Sequence, residues 1–247
     1  KLVGLFISND SLLKNKYENT IIIMAGGLGK RLRPLTENTP KPMLKIGGKP
    51  ILLNIVEGLA KSGFKNITMC LGYKSNVIKD FFQDGSAFGV NINYIIEDKR
   101  MGTAGALSLV KLKSNKPFFV MNGDLLTNIN YEQMLEFHQS HASMATMGVR
   151  EYDFQVPYGV VNINNEDVTS IEEKPVHSFF VNAGIYLLES ECIDLIPNNE
   201  FYDMPTLIEK IISKKAKVIS FPVREYWIDV GRIDEFKKAN IDIDLIK

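Results

Sequence analysis

Cysteine is scarce in these 247 residues: only Cys70 and Cys192 occur, each inside an apolar stretch. So few thiols exclude a disulfide-stapled fold, and two buried thiols in a reducing cytoplasm are expected instead. Net charge is absent too, since 29 Lys plus Arg balance 29 Asp plus Glu. No overall field draws the chain to nucleic acid or to an anionic membrane, so neither is an expected partner and any anion site must be local. No apolar run approaches the ~20 residues a membrane-spanning helix needs. Internal repeats, low-complexity tracts and a second hydrophobic core are missing as well. What is present, 45% hydrophobic and 23% charged residues, suits one large α/β domain with a substantial core.

Organisation comes from alternation. NTIIIMA, NITMCLG, NINYII and PFFVMNG are short β-rich runs of the kind buried in a parallel sheet. Between them PILLNIVEGLAKSG, SNVIKDFF and GTAGALSLVKL carry apolar residues at three- and four-residue spacing, so helices are expected. This repetition implies an α/β fold, a Rossmann-like doubly wound sheet, mainly parallel, with ligands at the carboxyl ends of its strands. From about Ser143 the strands SMATMGV, YGVVNI, VTSIEEK and FVNAGIYLL follow too closely for helical crossovers, and should add antiparallel strands to the same core. FYDMPTLIEKIISKK and GRIDEFKKANIDIDLI read as amphipathic helices flanking the strands KVISFPV and YWIDV. The chain opens on Lys1 rather than Met, with a strand-like KLVGLFI and then a polar SNDSLLKNKYEN. Residues 1–18 are therefore expected to be a linker or the remnant of a preceding domain, and residues 19–247 the folded domain.

The chemistry concentrates in MAGGLGKRLRPLTENTPKPML, Met24 to Leu44, directly after a strand. Two phosphate-loop templates fail there. The dinucleotide fingerprint wants a third glycine where Leu32 stands, and the P-loop wants Ser or Thr where Arg31 stands and a glycine where Met24 stands. What remains is a backbone bent at Gly26, Gly27 and Gly29 with Arg31 and Arg33 beside it. Successive free amides in such a turn form an anion-binding concavity, and Arg31 can add a fork of donors to phosphate oxygens. A glycine turn with two solvated arginines would read the same way. Pro40 and Pro42 stiffen the backbone around Lys41, and a held lysine is a better phosphate partner than a mobile one.

Gly26-Gly27-x-Gly29-x-Arg31-Leu32-x-Pro34-Leu35-Thr36, then Pro40-Lys41-Pro42-Met43 and Gly48-Lys49-Pro50, resembles the opening of sugar-1-phosphate nucleotidyltransferases. Further motifs similar to that family follow in order: Met101-Gly102-Thr103-Ala104-Gly105, Asn122-Gly123-Asp124, Tyr158-Gly159-Val160-Val161, Glu172-Glu173-Lys174-Pro175, Asn182-Ala183-Gly184-Ile185-Tyr186 and Trp227-x-Asp229-x-Gly231. The resemblance runs from about Thr20 to the C-terminus, making residues 19–247 the expected catalytic domain.

The reaction it implies is attack by a sugar-1-phosphate oxygen on the α-phosphorus of a nucleoside triphosphate, releasing pyrophosphate. Two polyanions must meet, so positioning and charge neutralisation dominate. The resemblance gives catalytic roles to Arg31, Lys41 and Asp124, and a nucleotide seat to Met24, Ala25, Gly26, Gly27, Gly29, Glu97 and Gly102. Asp124 follows one strand and Asp229 ends another, a pair suited to Mg²⁺, which prefers oxygen ligands; local backbone capping is the bland alternative for each. Gly159, Glu173, Lys174 and Asn182 are implied to hold the sugar phosphate, although EEK would equally serve as a solvated charge run. Tyr158 and Tyr186 read as packing.

Glu97 lies five residues before Gly102, where thymidylyl and uridylyl relatives commonly carry glutamine. A carboxylate only accepts. Guanine presents two adjacent donors, and thymine and uracil one donor between acceptors, so GTP is favoured over CTP, UTP and dTTP. MGTAG also resembles the guanylyltransferase branch. The sugar stays open among glucosamine, mannose and heptose 1-phosphates. The sequence stops after GRIDEFKKANIDIDLIK, so a C-terminal β-helix or acyltransferase domain is not expected. KLVGLFI resembles the last strand of a regulatory CBS domain, as in glucosamine-1-phosphate guanylyltransferases of bacterial nonulosonate (legionaminate) synthesis. Many relatives form homo-oligomers, and a cytoplasmic location is expected. The rival class is a non-catalytic homologue that senses nucleotide or sugar phosphate. Such a homologue is expected to lose one of Arg31, Lys41, Asp124, Lys174 or Asp229, and all five stand.

Overall fold

The computed structural model describes residues 16–245. KLVGLFI and most of the polar segment behind it lie outside the described residues, so the reading of residues 1–18 as a remnant is not addressed beyond Tyr17 and Glu18, which already belong to the first strand. In chain order the elements are β1 (Tyr17–Ala25), β2 (Lys45–Ile46), β3 (Lys49–Pro50), α1 (Ile51–Lys61), β4 (Phe64–Leu71), α2 (Ser75–Phe82), β5 (Asn91–Ile96), β6 (Phe118–Asn122), β7 (Leu125–Thr127) and α3 (Tyr131–Ser140). The second half continues with β8 (Ala145–Gln155), β9 (Gly159–Asn164), β10 (Asp167–Glu173), β11 (Val176–Leu188), α4 (Met204–Ser213), β12 (Val218–Pro222), β13 (Trp227–Asp229) and α5 (Ile233–Ile241).

Seven strands form the main sheet in the order β12-β8-β11-β6-β1-β4-β5. β6, β1, β4 and β5 are mutually parallel, β11 joins antiparallel between β6 and β8, and β12 runs parallel to β8. β1 lies inside the sheet between β6 and β4, and its Ile21, Ile22 and Ile23 are fully buried, as a strand covered on both faces requires. Side chains alternate across a sheet, so Ile21 and Ile23 join one apolar layer with α1, α2 and α3, while Ile22 joins another with α4 and Cys70. The single core expected from sequence is thus two layers divided by one sheet. Both cysteines are free and buried in the second layer, and burial pushes each thiol up to about 12.

Two local expectations differ from the structure. GTAGALSLVKL is not an α-helix; it holds only a 3-10 turn over Gly105–Leu109. Its front is tied elsewhere: Ala104 and Gly105 donate their amides to the Tyr202 carbonyl, and Tyr202 donates back to Met101. A backbone bolted to a neighbouring strand of chain cannot also close helical turns. α3 was not foreseen, though its signals stand in the chain. Asn130 accepts the Gln133 amide at 3.1 Å as an N-cap, and Tyr131, Met134, Leu135 and His138 bury one face.

Candidate active site

Parallel strands end on the same side, and β1, β5 and β6 carry the site at those ends. After β1 the chain turns at Gly26, Gly27 and Gly29. Gly29 adopts a left-handed φ of +61° and opens a 3-10 turn over Lys30–Leu32. Thr36 donates its hydroxyl to the Gly29 carbonyl at 2.8 Å, and a Cβ at Gly29 would sit 2.9 Å from Thr36 and 3.2 Å from the Lys41 stem. Glycine is therefore required where the loop folds back against Lys41. Behind it, Met43 and Leu44 donate to the carbonyls of Pro40 and Lys41, so Lys41 enters the site from a stiff, buried turn.

Asp124 and Asp229 meet through a small ribbon. β7 pairs antiparallel with β13, placing Leu125 opposite Asp229, and Val230 donates to the Asp124 carbonyl at 3.1 Å. Gly123 lets β6 close on β1: its amide donates to the Met24 carbonyl at 2.9 Å, and a Cβ there would lie 3.0 Å from Ala25. The Lys41 ammonium contacts the Asp124 carboxylate directly and lies 3.6 Å from Asp229 Oδ1. Asp124 Oδ1 and Asp229 Oδ1 are both buried without a hydrogen-bond partner, although the Asp229 side chain as a whole is 42% exposed. Burial, and after it the Asp124 charge, push the Asp229 carboxyl above the usual carboxylate range, while Lys41 and Arg31 pull it down. Arg31 reaches this side of the site, since a Cβ at Gly231 would lie 3.3 Å from its guanidinium and 3.5 Å from Asp229.

Among the described residues no cluster of three or more His, Cys, Asp or Glu side chains stands ready to hold a metal. The two orphaned oxygens nevertheless fit Mg²⁺, which takes one or two carboxylates and completes its shell with water and phosphate.

A cavity of about 270 Å³ opens beside these groups, lined by Met24, Ala25, Gly26, Gly27, Glu97 and Gly102 together with Lys41 and Asp124. Six of the seven residues expected around a nucleotide thus share one cavity. Gly29 shapes its rim from behind. Glu97 follows β5; its amide donates to the Leu71 carbonyl, and its carboxylate accepts the Met101 amide at 3.3 Å. Half-burial raises its pKa above the ordinary glutamate value, with the Met101 amide opposing. A Cβ at Gly26 would meet the Glu97 carboxylate at 2.5 Å, so loop backbone and carboxylate close one wall. Gly102, at φ +77°, faces the Tyr202 carbonyl just as closely.

Sequence reading missed Arg100, Phe201 and Asp203, which also line this cavity. Asp203 accepts the Thr103 amide at 2.9 Å and its hydroxyl at 3.2 Å, fixing the glycine-bearing loop from 100 residues away. FYDMP carries no local sign of that contact.

Asn182 lines a second cavity of about 180 Å³ that shares Thr103 and Asn122 with the first and reaches Asp229. Its side chain bonds the Tyr186 hydroxyl and accepts the Gly184 amide at 2.9 Å. Gly159, Glu173 and Lys174 come together elsewhere. Gly159 pairs with Glu173 on the β9–β10 ribbon, Lys174 lies 4.0 Å from Glu173, and all three are exposed and line neither cavity. Tyr186 is buried as packing, whereas Tyr158 is 74% exposed.

The chain is 35% identical over 233 residues to a mannose-1-phosphate guanyltransferase of Kluyveromyces lactis, covering 89% of this chain and 63% of that protein. It is 36% identical over 229 residues to a mannose-1-phosphate guanyltransferase of Pichia angusta, covering 87% and 61%. It therefore spans a little under two thirds of these relatives' length. The crystal structure of HddC from Yersinia pseudotuberculosis complexed with GMP-PN superposes with a TM-score of 0.72 at 28% identity, over 91% of this chain and 99% of that one. The nucleotidyl transferase family model matches residues 20–244, which hold both cavities and both aspartates, and the chain belongs to that family.

Proposed function

We propose that this chain transfers GMP from GTP to a sugar 1-phosphate, giving a GDP-sugar and pyrophosphate. The observation that carries the reading is the Lys41 ammonium seated between Asp124 and Asp229, with a buried oxygen on each carboxylate that accepts no hydrogen bond, at the mouth of the glycine-loop cavity. In this reading Gly26, Gly27 and Gly29 seat the triphosphate, and Lys41 faces the α-phosphate. A sugar-phosphate oxygen attacks the α-phosphorus, the bond to the bridging oxygen of pyrophosphate breaks, and Arg31 meets the departing charge. Fixed cations are worth most where charge gathers in the transition state. Mg²⁺ held by Asp124 and Asp229 would neutralise phosphate charge when bound. Asn182 holds the sugar in the adjoining cavity, and from the exposed ribbon Lys174 meets its phosphate, Glu173 accepts from a sugar hydroxyl and Gly159 leaves room for the ring.

GTP is supported by the Glu97 carboxylate in the cavity wall, by relatives named as guanyltransferases, and by the GMP-PN complex of HddC. Those relatives act on mannose 1-phosphate by name, so a hexose or hexosamine 1-phosphate is the proposed acceptor class. Two free buried thiols, and the lack among the described residues of a helix long and apolar enough to cross a membrane, support action in the reducing cytoplasm. The test is pyrophosphate release with Mg²⁺ across four nucleoside triphosphates and mannose, glucosamine and heptose 1-phosphates. Turnover is expected with GTP above the others. No turnover with any pair would overturn the enzyme reading and leave a nucleotide-binding homologue.

A further inference from the structure

The cavity holds a cation that the phosphate chemistry does not use. Arg100 lines it, as Glu97 does, is exposed, and makes no hydrogen bond or ion pair with any other described residue. Its loop is pinned at both ends. The Glu97 amide donates to Leu71 at 2.8 Å, Tyr202 donates to Met101 at 2.9 Å, and Thr103 donates to the Asp203 carboxylate at 2.9 Å. Arg100 is thus a free fork of donors carried on a fixed loop, three residues from the carboxylate proposed to read the base. Arg31 and Lys41, assigned to the phosphates, arrive from a different segment, the one following β1.

Guanine's polar edge decides what such a fork can do. The donors N1–H and N2–H₂ suit a carboxylate. O6 lies next to N1 on the ring and N7 beyond it, and both accept. A guanidinium placed beside that carboxylate meets O6 first and N7 next, the pairing by which arginine most often reads guanine. We infer that Arg100 donates to O6 and N7 of the guanine base while Glu97 accepts from N1–H and N2–H₂, so the two side chains specify the base together. This deepens the GTP reading above and rests on it. Adenine would turn an amino donor toward the fork, and pyrimidines have no N7 to offer. A carboxylate alone would leave the O6 and N7 edge unread.

The experiment compares kcat/KM for GTP, 7-deaza-GTP (N7 replaced by C–H) and ITP (no N2 amine) in the wild type, Arg100→Ala and Arg100→Lys. All three nucleotides carry the same triphosphate, so phosphate contacts cancel in the ratios. The wild type should favour GTP over 7-deaza-GTP by roughly five- to tenfold, one prong of a bidentate contact. Arg100→Ala should bring that ratio to about one while keeping the GTP-to-ITP ratio, which reports the Glu97 side. Arg100→Lys, which keeps charge and loses the fork, should behave like the alanine variant in the 7-deaza ratio. If Arg100→Ala slows all three nucleotides equally, Arg100 acts on phosphate or on folding, and the inference is overturned while GTP use stands. If the wild type prefers another triphosphate to GTP, the base reading itself falls, and the inference with it.

Discussion

Replacing Lys41 with methionine keeps an unbranched side chain, one heavy atom shorter, and removes the charge. Two carboxylates are then left without their cation, each with a buried oxygen that accepts no hydrogen bond. The ammonium touches Asp124, whose side chain is 22% exposed, and lies 3.6 Å from Asp229, at 42%. At that second separation the attraction is about 1 kcal/mol in water and about 4–5 kcal/mol at an effective dielectric constant of ~20; the exposure of Asp229 puts it near the lower figure. Breaking a buried pair by removing one partner costs about 3–5 kcal/mol, and partial exposure brings the combined loss to about 3 kcal/mol. For a chain of this size that lowers Tm by roughly 6–12 °C. The pH dependence has a definite sign. Asp229 already has a folded pKa above 3.8, and Lys41 is one of the two groups holding it down. A raised carboxyl binds more protons folded than unfolded, so its contribution to stability falls as pH rises from 3.8 through the folded pKa. Lys41→Met should therefore lose most stability at pH 8 and recover part of it toward pH 5. Added Mg²⁺ should raise its Tm more than that of the wild type, because the divalent cation meets the carboxylates the ammonium has left. Thermal unfolding at pH 5 and 8, with and without Mg²⁺, reads all of this. A Tm within 1–2 °C of wild type at pH 8 would refute the charge-centred account.

Three further outcomes follow from particular contacts. Glu97→Gln should shift preference from GTP toward UTP or dTTP by roughly ten- to a hundredfold in kcat/KM, since a mispaired buried polar group costs about 1–3 kcal/mol; competition assays between triphosphates measure it, and an unchanged preference counts against the base assignment. Gly105→Ala would drive a methyl group into the Glu200 carbonyl, which is backbone and cannot step aside. It should cost about 1–3 kcal/mol in denaturant unfolding, and raise KM for the triphosphate because the same loop carries Gly102. His138 is fully buried, bonded to Thr146 at 2.8 Å and to Glu189 at 3.1 Å, and burial lowers its pKa below 6.5 against the pull of Glu189. A folded state that prefers neutral imidazole keeps its full stability above about 6.5 and loses it as pH falls from there toward the folded pKa. His138→Gln should flatten the stability profile between pH 6.5 and 5, and an unchanged slope would contradict the burial argument.

What the sequence showed was local. NINYII coincides with β5 residue for residue, and the glycine loop, the proline-held lysine and the strand-end aspartate all fell where their residue types required. Each signal lies within about ten residues of its consequence. What escaped was tertiary. GTAGALSL has a helical apolar spacing, but hydrogen bonds to Tyr202 claim its first turn. The Asp124–Asp229 pair was legible from its motifs, but the contact that joins them, β7 against β13, was not, since two three-residue strands are too short to announce a partner. Asp203 looks like an ordinary helix N-cap; instead its carboxylate turns away from its own helix to hold Thr103. Arg100 shows no motif at all, only a position between a carboxylate and a glycine. The EEKP segment was legible as a motif, yet its ribbon stands exposed along nearly its whole length.

The central claim is that the chain moves a nucleotidyl group onto a sugar phosphate. The most direct measurement is mass spectrometry of the products after incubation with GTP, Mg²⁺ and each sugar 1-phosphate, with pyrophosphate counted alongside. The account predicts a GDP-sugar and pyrophosphate in equal amounts, absent when the sugar phosphate is withheld. Pyrophosphate with GMP and no GDP-sugar, or intact GTP under every condition, would contradict it.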